Sequence, residues 1–249
     1  MENIYSKNYV TTYADVDYKR IVKPSSILNF FQCVAGEHAS LLGVGSENLE
    51  KIGIFWVLSK IYYKVIKPVK VDQTVTVTTW PLQSGKIICD RDFLITDTIS
   101  GELLIKATSK WCVLDRKTHR PMPTKLLNFD LSAFKTERAL DYNIPQIKID
   151  ANFYKTDEKN IDIDYTDLDF NMHVNNIKYA DFVMRLFTAE EMAEKTVSDF
   201  EINYIKECRE GEQIKLERHE SNDKYIITGK SEDKDAFSCQ ISLRNEKSI

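Results

Sequence analysis

Residues 167–176 carry the side chains best suited to chemistry in this chain. They read Asp167, Leu168, Asp169, Phe170, Asn171, Met172, His173, Val174, Asn175 and Asn176, so two acids, three amides and one imidazole fall within ten residues. An acid, an amide and an imidazole occupy alternate positions as Asp169, Asn171 and His173. A helical pattern follows at once, with Ile177, Ala180, Val183, Met184 and Phe187 at three- and four-residue steps. Proton-handling groups therefore lead into a helix N-terminus, where unpaired backbone N–H groups stabilise developing negative charge. Hydrolysis of an ester or thioester needs such a setting. The same residues would also make a polar turn closed by an Asn N-cap. The run alone does not choose between these readings.

The elements that must hold this run are written twice. Tyr13-Ala14-Asp15-Val16-Asp17-Tyr18 matches Tyr165-Thr166-Asp167-Leu168-Asp169-Phe170 at an offset of 152, the step from Asp17 to Asp169, and the match continues to Val22 opposite Val174. A helix-period segment follows each copy. In the first half it spans about Pro24 to Leu42, with Ile27, Leu28, Phe31, Val34, Ala35 and Leu42 on one face and Gly43 as its stop. Strand-like stretches come next: Phe55–Ile66, Val69–Trp80, Lys86–Asp97 and Glu102–Leu114 in the first half. The second half offers Asp199–Glu207, Gln213–Glu220, Lys224–Gly229 and Ala236–Arg244. Each half thus reads as a short lead strand, one long helix and four antiparallel strands. The expected class is α+β, two tandem domains in which a curled antiparallel sheet wraps one long helix. The expected bounds are 1–115 for the first domain, 116–156 for a surface linker with a short helix at Lys125–Phe134, and 157–249 for the second domain.

One copy lacks the polar groups. Lys19 stands opposite Asn171 and Ile21 opposite His173. Aligning Val71-Asp72-Gln73 with Gly211-Glu212-Gln213, an offset of 140 from Asp72 to Glu212, puts Lys67 opposite Glu207 and Pro68 opposite Cys208. A turn needed only for folding would keep the same groups in both halves. The asymmetry points to chemistry in the second half and substrate binding in the first.

Bulk properties exclude several classes. The 249 residues are 43% hydrophobic and 29% charged, an ordinary globular composition, and the formal net charge of −4 offers no global field for nucleic acid. No stretch approaches the roughly 20 apolar residues that span a bilayer. Met1–Val10 lacks a basic segment followed by an apolar one, so neither a signal peptide nor a transit peptide is expected. Five scattered cysteines, Cys33, Cys89, Cys112, Cys208 and Cys239, form no C-x-x-C and no zinc spacing. A reduced, cytoplasmic protein with no metal and no cofactor is the expectation.

Taken in order, the motifs resemble the acyl-acyl-carrier-protein (acyl-ACP) thioesterase family, a tandem hotdog fold. The run at 169–176 resembles that family's D-x-N-x-H-V-N-N signature, followed by Tyr179, and Glu207-Cys208 after Tyr204 resembles its E-C pair. Trp56-Val57-Leu58, Pro68, Thr78-Thr79-Trp80-Pro81, Arg91-Asp92-Phe93 and the run from Gly101 through Trp111 to Pro121 match further landmarks. The resemblance implies hydrolysis of a fatty-acyl thioester carried on acyl carrier protein through phosphopantetheine. It implies catalytic Asp169, Asn171, His173 and Glu207, with Cys208 as an alternative nucleophile. Plastid members carry a transit peptide, so its absence implies a bacterial, cytoplasmic form.

Thioester hydrolysis needs a polarised carbonyl and an activated nucleophile. Backbone amides at Val174, Asn175 and Asn176 are the candidates for the oxyanion. Asn171 would position water or the carbonyl, Glu207 would act as general base, Asp169 would orient Asn171 or His173, and His173 would hold substrate or shuttle a proton. The competing scheme makes Cys208 a thiolate nucleophile activated by His173. Glu207 beside it disfavours the thiolate, which favours water. Lys60, Lys64, Lys67 and Lys70 form a basic stretch that reads either as a Lys-protected sheet edge or as a dock for an acidic carrier protein. His38 and His119 read as surface or capping residues, and Trp56, Trp80 and Trp111 as core. A double-hotdog enoyl-thioester hydratase or dehydratase would use a longer Asp–His spacing than the one between Asp169 and His173. A non-enzymatic acyl-thioester-binding protein is the remaining alternative. Two such domains in one chain already resemble a dimer, so a monomer or a homodimer is expected.

Overall fold

The structure, a computed structural model, describes residues 3–83, 85–127 and 134–245. They fall into two compact units: Met1–Val22 with Ile27–Ile144, and Lys23–Ser26 with Pro145–Ile249.

The first unit contains β1 (Tyr5–Val10), α1 (Pro24–Leu41), α2 (Ser46–Lys51), β2 (Ile54–Val65), β3 (Thr74–Pro81), β4 (Cys89–Asp97), β5 (Leu103–Asp115) and β6 (Pro121–Met122). Its antiparallel sheet has the order β1-β3-β4-β5-β2, with β6 beside β5. Alternation along the strands buries Val75, Val77, Phe93, Ile95, Ile105, Ala107, Ile61 and Tyr63. Helix α1 packs there, with the Phe31 ring 4.7 Å from Phe93 and 6.4 Å from Tyr63. Pro24 opens the helix, where a missing N–H costs nothing, and Gly43 follows its end at φ 75°.

The opposite face of β4 is held by residues 134–144. Ala139 N–H donates to Asp92 Oδ2 at 2.7 Å, Trp80 Nε1–H donates to the Glu137 carbonyl at 2.9 Å, and Arg138 pairs with Asp90 at 2.6 Å. The Tyr142 ring lies 4.4 Å from Tyr62, and Lys60 Nζ donates to the Ile144 carbonyl at 3.4 Å. The stretch expected as linker thus contributes β6 and this strap to the first unit, and its last residues open the first strand of the second. Of the short helix expected at Lys125–Phe134, the structure shows a 3-10 turn at Thr124–Leu127, while residues 128–133 lie outside the described residues.

The second unit contains β7 (Tyr154–Asp162), a 3-10 turn (Tyr165–Asp167), α3 (Asn176–Met184), β8 (Lys195–Tyr204), β9 (Gln213–Ser221), β10 (Lys224–Ser231) and β11 (Lys234–Asn245). Its antiparallel sheet runs β8-β11-β10-β9-β7. Phe182, Val183, Phe200, Ile202, Ile214, Phe237 and Ile241 form its core. The long helix expected here, reaching Phe187, is instead 9 residues against 18 in α1. Arg218 of β9 explains the stop. It donates to the Leu186 carbonyl at 2.7 Å, pairs with Glu191 at 2.9 Å and lies 5.1 Å over the Phe187 ring, so a strand side chain caps this end.

Other boundaries differ from the sequence reading. The second strand starts at Thr74 because Asp72 adopts a left-handed turn at φ 60°. The strand at Asp199–Glu207 ends at Tyr204, because the amides of Ile205 and Lys206 both turn to the Ala236 carbonyl at 2.9 and 3.0 Å. Glu207 therefore lies beyond the strand.

The repeat is reproduced bond by bond. Asp17 Oδ1 accepts the amides of Lys19 at 2.8 Å and Ile21 at 3.1 Å, and Arg20 sits at φ 64°. Asp169 Oδ1 accepts the amides of Asn171 at 2.8 Å and His173 at 3.3 Å, and Met172 sits at φ 63°. Bridges Val16–Val22 and Leu168–Val174 close the two turns. Further on, Ile66 and Lys67 amides share the Leu104 carbonyl as Ile205 and Lys206 share that of Ala236. Val22 N–H donates to the Val69 carbonyl at 2.9 Å, as Val174 N–H does to that of Cys208 at 2.9 Å. This offset is 139, the step from Val69 to Cys208, not 140. Pro68, not Lys67, stands opposite Glu207, and Val69 stands opposite Cys208.

Two predictions follow from these contacts. Asp17→Ala and Asp169→Ala strip the acceptor from two turn amides and should each cost about 1–2 kcal/mol in urea unfolding, with the Asn variants costing less. Burial pushes the Asp92 carboxyl up from its usual range of 3.8, so the folded state holds its proton more tightly than the unfolded chain. That stabilisation is complete below the unfolded value and is lost as pH rises through the folded one. Asp92→Asn should therefore gain stability relative to wild type between pH 4 and pH 8, as read by urea midpoints.

Candidate active site

The turn at 169–173 and the segment after β8 bring the candidate residues together. His173 Nε2 lies 3.3 Å from Glu207 Oε2, with the imidazole 12% and the carboxylate side chain 33% exposed. The pair is sheltered yet open to water on the carboxylate side. Asn171 sits at the turn tip, half-buried, and among the described residues its side-chain amide makes no hydrogen bond. Asp169 does not reach the imidazole in this arrangement. It acts on Asn171 and His173 through their backbone amides, a task that Asp17 performs in the copy without those two side chains.

Of the three amides expected at the oxyanion position, the fold uses two. Val174 N–H is held by the Cys208 carbonyl, and Asn175 N–H donates to the Asp167 carbonyl at 2.8 Å. Asn175 is the N-cap of α3, its Oδ1 accepting Ile177 N–H at 3.2 Å. That leaves Asn176 N–H, at the first helical position, with no hydrogen bond among the described residues. The corresponding position in the first copy of the repeat is Pro24, which has no N–H to offer.

Cys208 is fully buried, and burial pushes its thiol above the ordinary range. That burial disfavours a thiolate nucleophile. What Cys208 supplies is its carbonyl, which ties the Glu207 segment to Val174.

Sequence reasoning did not single out Asp167, Lys178 or the Tyr204 hydroxyl. Asp167 is buried, accepts Asp164 N–H and pairs with Lys178 Nζ at 3.3 Å, bracing the turn against α3. The spacing of Asp164 and Asp167 as a capping box was the available signal. Tyr204 Oη–H donates to the Asn176 carbonyl at 3.0 Å.

The basic stretch separates in the structure. Lys60 is half-buried, with Nζ donating to the Ile144 carbonyl at 3.4 Å, and Lys67 is exposed and paired with Glu102. Lys64 and Lys70 are exposed. His38, expected at the surface, is 1% exposed, with Nδ1 3.1 Å from Arg91 Nη1 and its ring stacked on Tyr5. Burial pushes Arg91 down to about 10. His119 is exposed in a left-handed turn. Among the described residues, no three His, Cys, Asp or Glu side chains are grouped to hold a metal ion, and no helix is long and apolar enough to cross a membrane.

Both halves match family models: the acyl-ACP thioesterase N-terminal domain over residues 2–125 and the C-terminal domain over residues 151–248. The acyl-[acyl-carrier-protein] hydrolase FATB3 of Cuphea viscosissima, a chloroplastic protein, is 29% identical over 210 residues, covering 78% of this chain and 50% of that relative. Oleoyl-acyl carrier protein thioesterase 1 of Arabidopsis thaliana is 24% identical over 234 residues, covering 84% of this chain and 62% of the relative. The chain thus spans about half to three-fifths of the length of these relatives. An acyl-ACP thioesterase from Bacteroides thetaiotaomicron superposes with a TM-score of 0.87 at 22% identity, over 97% of this chain and 98% of that one. The 12:0-ACP thioesterase from Umbellularia californica does so with 0.87 at 21%, over 99% of each. These likenesses establish an α+β fold of two tandem hotdog units. With a domain model matched in each half, the chain belongs to the acyl-ACP thioesterase family.

Proposed function

We propose that this protein hydrolyses the thioester of a fatty acyl group carried on acyl carrier protein, by attack of water activated at Glu207. The observation that carries this reading is the His173 Nε2 to Glu207 Oε2 approach of 3.3 Å, beside the open amide of Asn171. His173 holds the carboxylate in place. Glu207 accepts a proton from water as its oxygen bonds to the thioester carbon. Asn176 N–H and the positive end of α3 stabilise the oxyanion. As the C–S bond breaks, the proton passes to the phosphopantetheine sulfur, giving fatty acid and a free thiol. Asn171 orients the water or the carbonyl. The first unit, with Lys19, Ile21 and Pro68 in place of Asn171, His173 and Glu207, serves binding and not chemistry. No cofactor takes part. The five cysteines, all free, suit a reducing compartment such as cytoplasm.

Glu207→Ala should lower turnover of acyl-ACP by about 10²–10⁴-fold, as expected on losing a general base. Cys208→Ala should lower it by less than about tenfold, since a buried protonated thiol is a poor nucleophile. Free-thiol release and fatty-acid product are the measurements. A larger loss in Cys208→Ala than in Glu207→Ala would move the nucleophile to sulfur, and enoyl hydration without thiol release would replace hydrolysis altogether.

Lys64 and Lys70 serve as docking groups for the acidic carrier. Their joint reversal to Glu should raise KM for acyl-ACP by about threefold to tenfold and leave KM for a short acyl thioester unchanged, since exposed charges act mainly on encounter. Equal changes with both substrates would remove this role.

A further inference from the structure

The internal copy provides a control for the active unit, because it folds through the same turns and lacks the chemistry. Both units share the bond from Val22 or Val174 to the carbonyl of Val69 or Cys208. They differ at two aromatic positions, Tyr179, which is buried, and Tyr204, which is half-buried. Offset 139 places Val65 opposite Tyr204, and offset 152 places Ile27 opposite Tyr179. Val65 and Ile27 are 5% and 4% exposed, so both positions are core in the first unit. Neither carries a hydroxyl. A buried hydroxyl costs free energy unless it is hydrogen-bonded, so a core position gains nothing from one by default.

In the second unit the Tyr204 hydroxyl is committed to the site. Tyr204 Oη–H donates to the Asn176 carbonyl at 3.0 Å, across from the end of β8 to the first residue of α3. The Tyr204 and Tyr179 rings meet edge-on at 5.6 Å, and Tyr179 packs on Phe237 at 5.1 Å. Tyr204 precedes Glu207 by three residues, and Asn176 follows His173 by three. The hydroxyl bond therefore ties the two chain segments whose side chains meet at 3.3 Å.

We propose that Tyr204 is a positioning residue for the site: its hydroxyl, holding the Asn176 carbonyl, fixes the open first turn of α3 against the strand that leads to Glu207, with the Tyr179 ring packed edge-on against its ring. The proposal rests on the hydrolase reading for its catalytic consequence. The tie itself does not depend on the substrate. It accounts for a hydroxyl at 204 in the unit with Asn171, His173 and Glu207, and for its absence at Val65 where Lys19, Ile21 and Pro68 stand instead.

Tyr204→Phe removes one oxygen and keeps the ring. In Tyr204→Phe, amide hydrogen exchange at Val174, Asn175 and Ile177 should speed up by about tenfold or more, while the amides of β9 to β11 keep wild-type rates. With acyl-ACP, kcat should fall by about tenfold with KM within about twofold of wild type, the signature of lost alignment and not lost binding. Wild-type exchange at those three amides, or wild-type kcat in Tyr204→Phe with the exchange accelerated, would overturn the proposal. A global rise in exchange would also overturn it, since that marks a fold role shared with the core. The exchange arm needs no substrate. If the wild-type protein releases no thiol from acyl-ACP, the hydrolase reading fails, and unchanged or accelerated exchange still decides whether the tie exists.

Discussion

The arrangement of the second unit depends on one backbone hydrogen bond, Val174 N–H to the Cys208 carbonyl at 2.9 Å. It joins the end of a tight turn to a segment that has just left a strand. Everything that bears on chemistry hangs from its two ends: His173 and the start of α3 on one, Glu207 on the other. The same bond in the first copy, from Val22 to Val69, shows that it belongs to the fold whether or not Asn171, His173 and Glu207 accompany it. The fold supplies the meeting point, and the side chains at adjacent positions differ between the two copies.

That division of labour explains which residues the sequence made legible. Asn171, His173 and Glu207 could be found because the first copy carries unlike residues at those places. Asp169 could not be separated from them by type, since an acid suits either catalysis or a turn. Asp17 holds the equivalent two backbone amides where no imidazole follows, so that much of the geometry at Asp169 belongs to the turn. Spacing also left the partner of Glu207 off by one. The likeness of Val71-Asp72-Gln73 to Gly211-Glu212-Gln213 is out of register by one, because the Thr11 and Ile163 backbone bonds pair Asp72 with Gly211 and Gln73 with Glu212 at the same step of 139.

The helices and strands were legible to the extent that periodicity continued. Helix α1 shows an apolar stripe along its full length, and its extent could be read directly. The stripe after Asn176 included Phe187, yet that ring belongs to the Arg218 and Tyr225 stack and not to a helix face. A cation from a distant strand is invisible to local pattern. His38 was misread for a related reason: a polar residue in the last turn of a helix looks exposed until a buried guanidinium is placed beside it.

The strap at 134–144 has a consequence for how the chain comes to be folded during synthesis. The N-terminal family domain ends at residue 125, but Asp92, Trp80, Tyr62 and Lys60 find their partners among Glu137, Ala139, Tyr142 and Ile144. A nascent chain halted at 125 would carry a buried-type carboxylate with no amide to meet it. The first unit becomes complete only when the ribosome has added the strap, a delay of roughly one to four seconds at ordinary elongation rates. Ile144 is thus the earliest residue at whose addition every strap contact of that half has its partner in the chain.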